Sequence, residues 1–262
     1  MVGLTPAQTL PADLLANARL LPDRLAILPL IPKRSVIAEV GVALGDFSQR
    51  LLRVCDPELL IAIDLFDLHA KPGLWGRSTA ELFGRGSHAD HYRRRFVEPV
   101  REGRLRVLQG DSATVLDALE DASLDVAYLD ADHGYEAIQR DLQAVQPKVR
   151  QAGWIIINDY IMNDAEGSNA PYGVVQATNQ FMIANNWEMI YFAFHVYMYC
   201  DVVLRRVGGA AVPLLDPHWR EQYYAGLEVS NARLEQALAA LRASTSWRIT
   251  GPLRGLRRLL MR

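Results

Sequence analysis

Short apolar runs alternate with helical segments along the middle of the chain. Val36–Val40 ends at Gly41, and the amphipathic stretch Asp46–Val54 follows it. Leu59–Phe66, Leu105–Leu108, Leu124–Leu129 and Gly153–Ile157 are further apolar runs, with a helical pattern over Tyr135–Val149 between the last two. Continuous apolar runs of this length fit strands buried on both faces, and helices between them imply a parallel sheet with both sides covered. After the helical stretch Val174–Asn185 the rhythm changes. Trp187–Phe194 and Val196–Arg205 are consecutive β-rich runs with almost nothing between them. Such a gap holds no parallel crossover, so the pair reads as an antiparallel hairpin.

The expected fold is therefore α/β: a Rossmann-like, doubly wound, seven-stranded, mostly parallel sheet closed by a terminal antiparallel hairpin, with a C-terminal helical tail. Residues 1–35 read as a helical lead, with helix-forming Ala12–Leu21 and prolines punctuating the rest. Residues 36–206 form the main domain, and 207–215, beginning VGGAAVP, a linker. Residues 216–262 read as a helical, basic amphipathic tail. Asn231–Ala243 is a good helix former. Ser244–Arg262 interleaves Arg248, Arg254, Arg257, Arg258 and Arg262 with Trp247, Leu253, Leu256 and Leu259, and has no acidic residue. A tail of this kind can lie on an anionic membrane surface. It can equally be a solvated or partner-packed helix.

Composition narrows the class. Half the residues are hydrophobic, 22 % are charged, and the net charge is −2, which argues against binding nucleic acid by bulk electrostatics. The two cysteines, Cys55 and Cys200, fit neither a disulfide framework nor a zinc site, so a cytoplasmic, reducing setting is expected. No apolar stretch reaches the ~20 residues of a membrane span, which leaves at most a peripheral contact through the tail.

The chemistry gathers at the strand ends. Glu39, Gly41 and Gly45 lie at the first strand-to-helix turn, where glycines let backbone approach a ligand and the helix N-terminus is electropositive. Asp64 ends the second strand 19 residues after Gly45, and a carboxylate about 20 residues beyond a glycine turn is placed to take ribose hydroxyls. Asp111 and Ser112 end the third strand, either beside an adenine amine or as a helix cap. Asp130 and Asp132, two apart, follow the fourth strand with His133, and Asn158 and Asp159 follow the fifth. Ligands in open α/β sheets bind at these carboxyl ends. Five consecutive strands ending in an acid exceed what helix capping requires.

In this order the motifs Glu-x-Gly-x-x-x-Gly, Gly-Asp-Ser, Leu-Asp-x-Asp-His-x-Tyr-Glu and Trp-x-Ile-Ile-x-Asp-Tyr resemble class I S-adenosylmethionine-dependent methyltransferases. The likeness runs over about residues 36–206 and is nearest to metal-dependent small-molecule O-methyltransferases of the macrocin-type sugar group. It implies that Glu39, Gly41 and Gly45 hold the methionine end of S-adenosylmethionine, Asp64 the ribose, and Asp111 with Ser112 the adenine. It also implies Mg²⁺, or another divalent cation, at Asp130, Asn158 and Asp159. Ala43 stands where many such enzymes have a middle glycine, and Asn158 replaces a carboxylate, which lowers the negative charge of the metal site.

The implied reaction is transfer to a hydroxyl of a small molecule, a sugar or glycan precursor first. A phenolic or catechol-type natural product is the alternative acceptor, and a non-catalytic scaffold at a membrane assembly the alternative role. Asp132 or His133 is the candidate base: Asp132 by the resemblance, His133 by its ordinary pKa near ~6.5. Asp67–His91 and Ile161–Gly173 are long enough to be lids. The scattered histidines of the first read as solvated bystanders. The aromatic stripe Tyr191–Tyr199 reads as sheet core or a subunit interface, the latter admitting a homo-oligomer.

Overall fold

Eight strands make one sheet in the computed structural model, which describes residues 6–74, 76–164, 171–196 and 198–225, with 227, 232, 236 and 239. In chain order the strands are β1 (Arg19–Leu21), β2 (Val36–Val40), β3 (Leu59–Asp64), β4 (Leu105–Gln109), β5 (Leu124–Leu129), β6 (Val149–Ile157), β7 (Trp187–Ala193) and β8 (Asp201–Arg206). Their order across the sheet is β1-β7-β8-β6-β5-β2-β3-β4. Every pair is parallel except those of β8, which runs antiparallel to both β6 and β7.

The expected parallel sheet and closing hairpin are present, and two details differ. Seven strands were expected and eight are found, because Arg19–Leu21 in the lead pairs with β7 at the sheet edge. Only Leu21 of that strand is buried, so it carries no apolar periodicity to read. The second hairpin strand starts at Asp201 rather than Val196, and Val196 is among the most exposed apolar side chains, at 81 %.

The helices are α1 (Asp46–Arg50), α2 (Thr79–Phe83), α3 (His88–Arg95), α4 (Val97–Arg101), α5 (Ser112–Asp117), α6 (Tyr135–Val145) and α7 (Val174–Asn185). On α6, Ile138, Leu142 and Val145 form the buried stripe that a 3.6-residue period demands, and Pro147 lies just beyond its end. These residues pack on Ala127, Leu129, Ile155 and Ile157 of the sheet. Each fully buried aliphatic side chain there contributes about 1.5–3 kcal/mol.

One feature of the topology positions the site. From β2 the chain winds outward through β3 and β4, then returns to lay β5 on the other side of β2. The switch point therefore lies between the carboxyl ends of β2 and β5, where an open α/β sheet leaves a crevice.

The chain divides into two units, Met1–Trp219 and Arg220–Arg262. In the second, Arg220–Ala225 is helical. The basic tail Ser244–Arg262 lies outside the described residues. Among those described, no helix is long and apolar enough to cross a membrane.

Candidate active site

A cleft of about 1110 Å³ opens at the switch point. It is lined by Glu39, Gly41, Ala43, Phe47, Asp64, Asp67, Lys71, Gly110 to Ser112, Asp130 to Gly134, Arg140 and Tyr172, among others. Of the residues singled out in the sequence, Gly45, Asn158 and Asp159 are absent from this lining.

Gly41 is dictated by the turn. Its φ is +84°, and a Cβ there would stand 2.0 Å from the Asp130 carbonyl oxygen, so no side chain fits. Its N–H donates to the Ile63 carbonyl at 2.8 Å, and the Asp130 N–H donates to that of Val40, also at 2.8 Å. These bonds bring the ends of β2, β3 and β5 together. Gly45, also at positive φ, serves packing instead: a Cβ there would meet the Phe96 ring at 2.5 Å. Ala43, where a middle glycine is common, adopts φ +45°.

Glu39 is 1 % exposed. Ser48 donates hydrogen bonds to it, and the Tyr92 hydroxyl donates to Ser48 Oγ at 2.8 Å. Its Oε2 has no partner. Burial pushes this carboxyl up to about 8, against the pull of the Ser48 hydroxyl and with a further push from the charge of Asp64. A buried carboxylate oxygen without a donor costs free energy until a ligand supplies one. The ammonium of a methionine group is such a donor, and on this observation the residues present fit S-adenosylmethionine.

Asp64 first ties the backbone of the neighbouring turn to the end of its own strand. Oδ2 accepts from the N–H groups of Val42 at 2.9 Å and Ala43 at 3.3 Å, and Oδ1 from Phe66 at 2.7 Å. A carboxylate has about four lone-pair sites, which leaves room at Oδ1 for a ribose hydroxyl. Asp67 supplies a further carboxylate in the same cleft. Behind the turn, His88 is fully buried and its Nε2 lies 2.5 Å from the Ala43 carbonyl oxygen. Its reading as a solvated bystander is thus corrected. Ser87, which begins α3 with a capping box, was the available clue that His88 starts a packed helix.

At the end of β4, Asp111 caps α5: Oδ1 accepts from the N–H of Thr114 at 3.1 Å and its hydroxyl at 2.9 Å. These bonds hold its carboxyl below the usual range, and Arg140 assists. Ser112 donates to the buried Asp141 at 2.5 Å. Both residues line the cleft, with their hydrogen bonds satisfied locally.

The ends of β5 and β6 carry a charged cluster. His133 Nε2 is buried without a hydrogen-bond partner, 3.7 Å from Asp130 Oδ1 and 3.6 Å from Asp159 Oδ2. Its ring stacks on Tyr172, with centroids 4.6 Å apart and planes within 9°. Asp130 lies well above the ordinary carboxylate range, first through desolvation and then through repulsion from Asp159 and Asp201. Asp159 is raised by burial and restrained by His133 and Arg24. Asp132, by contrast, is exposed, and its Oδ1 accepts the Gly134 N–H at 2.7 Å ahead of α6.

Two members of this cluster were not foreseen. Arg24 Nη2 lies 3.2 Å from Asp159 Oδ1 and 2.9 Å from Asp201 Oδ1. Asp201 is fully buried and also accepts from the Tyr128 hydroxyl at 3.0 Å. An acid beginning an apolar strand was a signal for such a partner, although nothing in the sequence named Arg24.

At the expected divalent-cation site, Asp130, Asn158 and Asp159, the side chains are engaged by the protein itself. Asn158 is 2 % exposed, and its amide nitrogen donates to Tyr128 at 3.1 Å and to Asp201 at 3.2 Å. Arg24 occupies one oxygen of Asp159. Among the described residues, no group of three or more His, Cys, Asp or Glu side chains is arranged to hold a metal ion. The donor set does not fit Mg²⁺.

Residues 38–160 match the family model described as a methyltransferase domain. No curated protein matches the chain. Among solved structures, a putative rRNA-methylase from Clostridium thermocellum is similar at 7 % identity and TM-score 0.51, over 71 % of this chain and 94 % of that one. A SAM-dependent methyltransferase from Aquifex aeolicus aligns at 13 % identity and TM-score 0.46, over 66 % of this chain and 83 % of its own. The pyocyanin biosynthetic protein PhzM aligns at 10 % identity and TM-score 0.46, over 70 % of this chain, which spans 54 % of that protein's length. The first of these carries the fold and nothing further.

Proposed function

We propose that this chain is an S-adenosylmethionine-dependent methyltransferase, supported by the match to a methyltransferase-domain model, and that it methylates a hydroxyl of a small molecule, a sugar or glycan precursor. The observation that carries transfer to oxygen is His133, held between Asp130 and Asp159 at the edge of the cleft. A neutral hydroxyl needs its proton removed as it attacks, and a positioned imidazole is suited to that work. When bound, S-adenosylmethionine supplies the electrophilic methyl group on its sulfonium.

In this reading Glu39 receives the ammonium of the donor, and Asp64 receives a ribose hydroxyl through its remaining lone pair. Asp111 and Ser112 border the adenine. The two carboxylates beside His133 stabilise the imidazolium that forms as the ring takes the acceptor proton, the same logic that orients the base in catalytic triads. Tyr172, stacked on His133, fixes the ring plane. Asp132 holds the turn before α6 and fits the base role less well. The metal-assisted form of the reaction is not part of the proposal.

The acid-rich lining supports a hydroxyl-rich acceptor over a polyanion. Among the described residues that line the cleft, Glu39, Asp46, Asp64, Asp67, Asp111, Asp130 and Asp132 are acidic, and Lys71 and Arg140 are the fixed cations. Carboxylates accept hydrogen bonds from sugar hydroxyls and repel phosphate chains. A screen with methyl-labelled S-adenosylmethionine against sugars, nucleotide sugars, catechols and RNA tests the reading. Label in an alkali-stable sugar ether is expected. Label confined to catechols or RNA would contradict it. The basic tail is proposed to rest on an anionic membrane surface, and equal flotation of the full chain and one ending near residue 243 would refute that.

A further inference from the structure

We infer that Arg24 takes the place a divalent cation would fill, so that the acid cluster beside His133 is held together by a fixed cation of the chain itself. Three carboxylates, Asp130, Asp159 and Asp201, converge at the ends of β5 and β6 and the start of β8. Arg24 Nη2 bridges two of them, at 3.2 Å from Asp159 and 2.9 Å from Asp201. Its third contact is the Tyr199 carbonyl oxygen at 3.4 Å. The remaining gap, between Asp130 and Asp159, is occupied by His133 Nε2.

Asn158 closes the argument from the other side. Its amide nitrogen faces the Asp201 carboxylate, and an ionised carboxylate only accepts hydrogen bonds. The amide therefore serves the network as a donor.

Arg24 is also firmly presented. It begins the 3₁₀ segment Arg24–Leu30, which is capped by Asp23 through the Leu25 N–H at 2.7 Å and buries Ala26, Ile27 and Leu28. A guanidinium gives a permanent positive charge and a planar fork of donors, without the dehydration Mg²⁺ resists. Arg24 thus acts as a positioning residue: it holds Asp159 against His133. Its effect on turnover rests on the O-methyltransferase reading above, whereas its exclusion of metal does not.

The test is a titration of the full chain with Mn²⁺, followed by electron paramagnetic resonance and by thermal melting, for wild type, Arg24→Gln and Arg24→Lys. Wild type and Arg24→Lys should leave the Mn²⁺ signal and the melting temperature unchanged. Arg24→Gln should bind one Mn²⁺ at least tenfold more tightly than wild type, and its melting temperature should rise with the ion. Binding of one Mn²⁺ by wild type, lost in Asp130→Asn, would overturn the inference. So would a folded Arg24→Gln that takes no ion, and if that variant does not fold, the wild-type titration decides alone. Neither methyl donor nor acceptor enters the measurement, so its failure is distinct from failure of the proposed activity.

Discussion

Arg24 and Asp201, 177 residues apart in sequence, meet at 2.9 Å behind the cleft. The contact ties the N-terminal lead to the antiparallel strand β8. Asp201 also accepts from Tyr128 and Asn158, so one fully buried carboxylate serves three donors. Desolvation pushes Asp201 up to about 6, with Arg24 and the Tyr128 hydroxyl working to keep it charged.

Asp201→Ala should therefore be costly. It takes the nearest carboxylate from a largely buried guanidinium, which keeps Asp159, and leaves the buried Tyr128 hydroxyl without its acceptor; breaking one side of a buried pair typically costs about 3–5 kcal/mol. Urea unfolding should show that loss. Cofactor affinity should change far less, because Asp201 is not part of the cleft lining.

Gly41→Ala should be much worse than a substitution at an open glycine. Both Gly41 and Gly103 have positive φ, but Gly103 has nothing within 4 Å of an added Cβ, whereas Gly41 would drive it into the Asp130 carbonyl. Gly103→Ala should cost about 1–2 kcal/mol from its left-handed conformation alone. Gly41→Ala should cost more than that in urea unfolding and also weaken S-adenosylmethionine binding, since the turn must shift.

The stability of the ligand-free protein should fall as pH rises from about 4.5 to about 8. Glu39 is protonated in the folded chain up to about 8 but ionises near its ordinary value of 4.5 when unfolded. Over that window the folded state binds more protons, so its contribution is full below the unfolded pKa and disappears as pH passes the folded one. Glu39→Gln removes the titration. Its unfolding free energy, measured at pH 5 and pH 8, should fall less between the two than that of wild type.

Much of this was legible in the pattern of residues. Val36–Val40, Leu124–Leu129 and Val174–Asn185 were read with the bounds they have, because continuous apolar runs and a clean helical period leave little choice. β6 was read from Gly153 although it begins at Val149, since Arg150 and Gln151 interrupt the apolar signal. The second strand was read through Phe66, two residues too far. Leu65 and Phe66 are apolar, but Phe66 turns to φ +52° beyond the strand. In the site, the strand-end acids were visible because each follows an apolar run. Arg24 and Asp201 were not, since the contact that gives them meaning depends on the closed sheet. The sequence also had no means of telling that the Asn158 amide nitrogen bonds Tyr128 and Asp201, because side-chain direction at a strand end depends on the neighbouring strand.

His133 and Asp132 should separate in kinetics. His133→Ala should lower kcat by about 10²–10⁴, the usual range for a lost general base. Asp132→Asn retains a carbonyl oxygen to accept the Gly134 N–H, so its effect should stay below tenfold. The reverse order would return the base role to Asp132.

The most direct test of the account is calorimetric titration of S-adenosylmethionine into wild type and Glu39→Gln near pH 7, in two buffers of different ionisation enthalpy. Glu39 with its pKa at about 8 must give up its proton to meet an ammonium, so wild type should bind in the micromolar range and release close to one proton per ligand. Glu39→Gln should bind at least tenfold more weakly and release none. No binding by wild type, or equal affinity and proton release in both proteins, would contradict the assignment of the cleft.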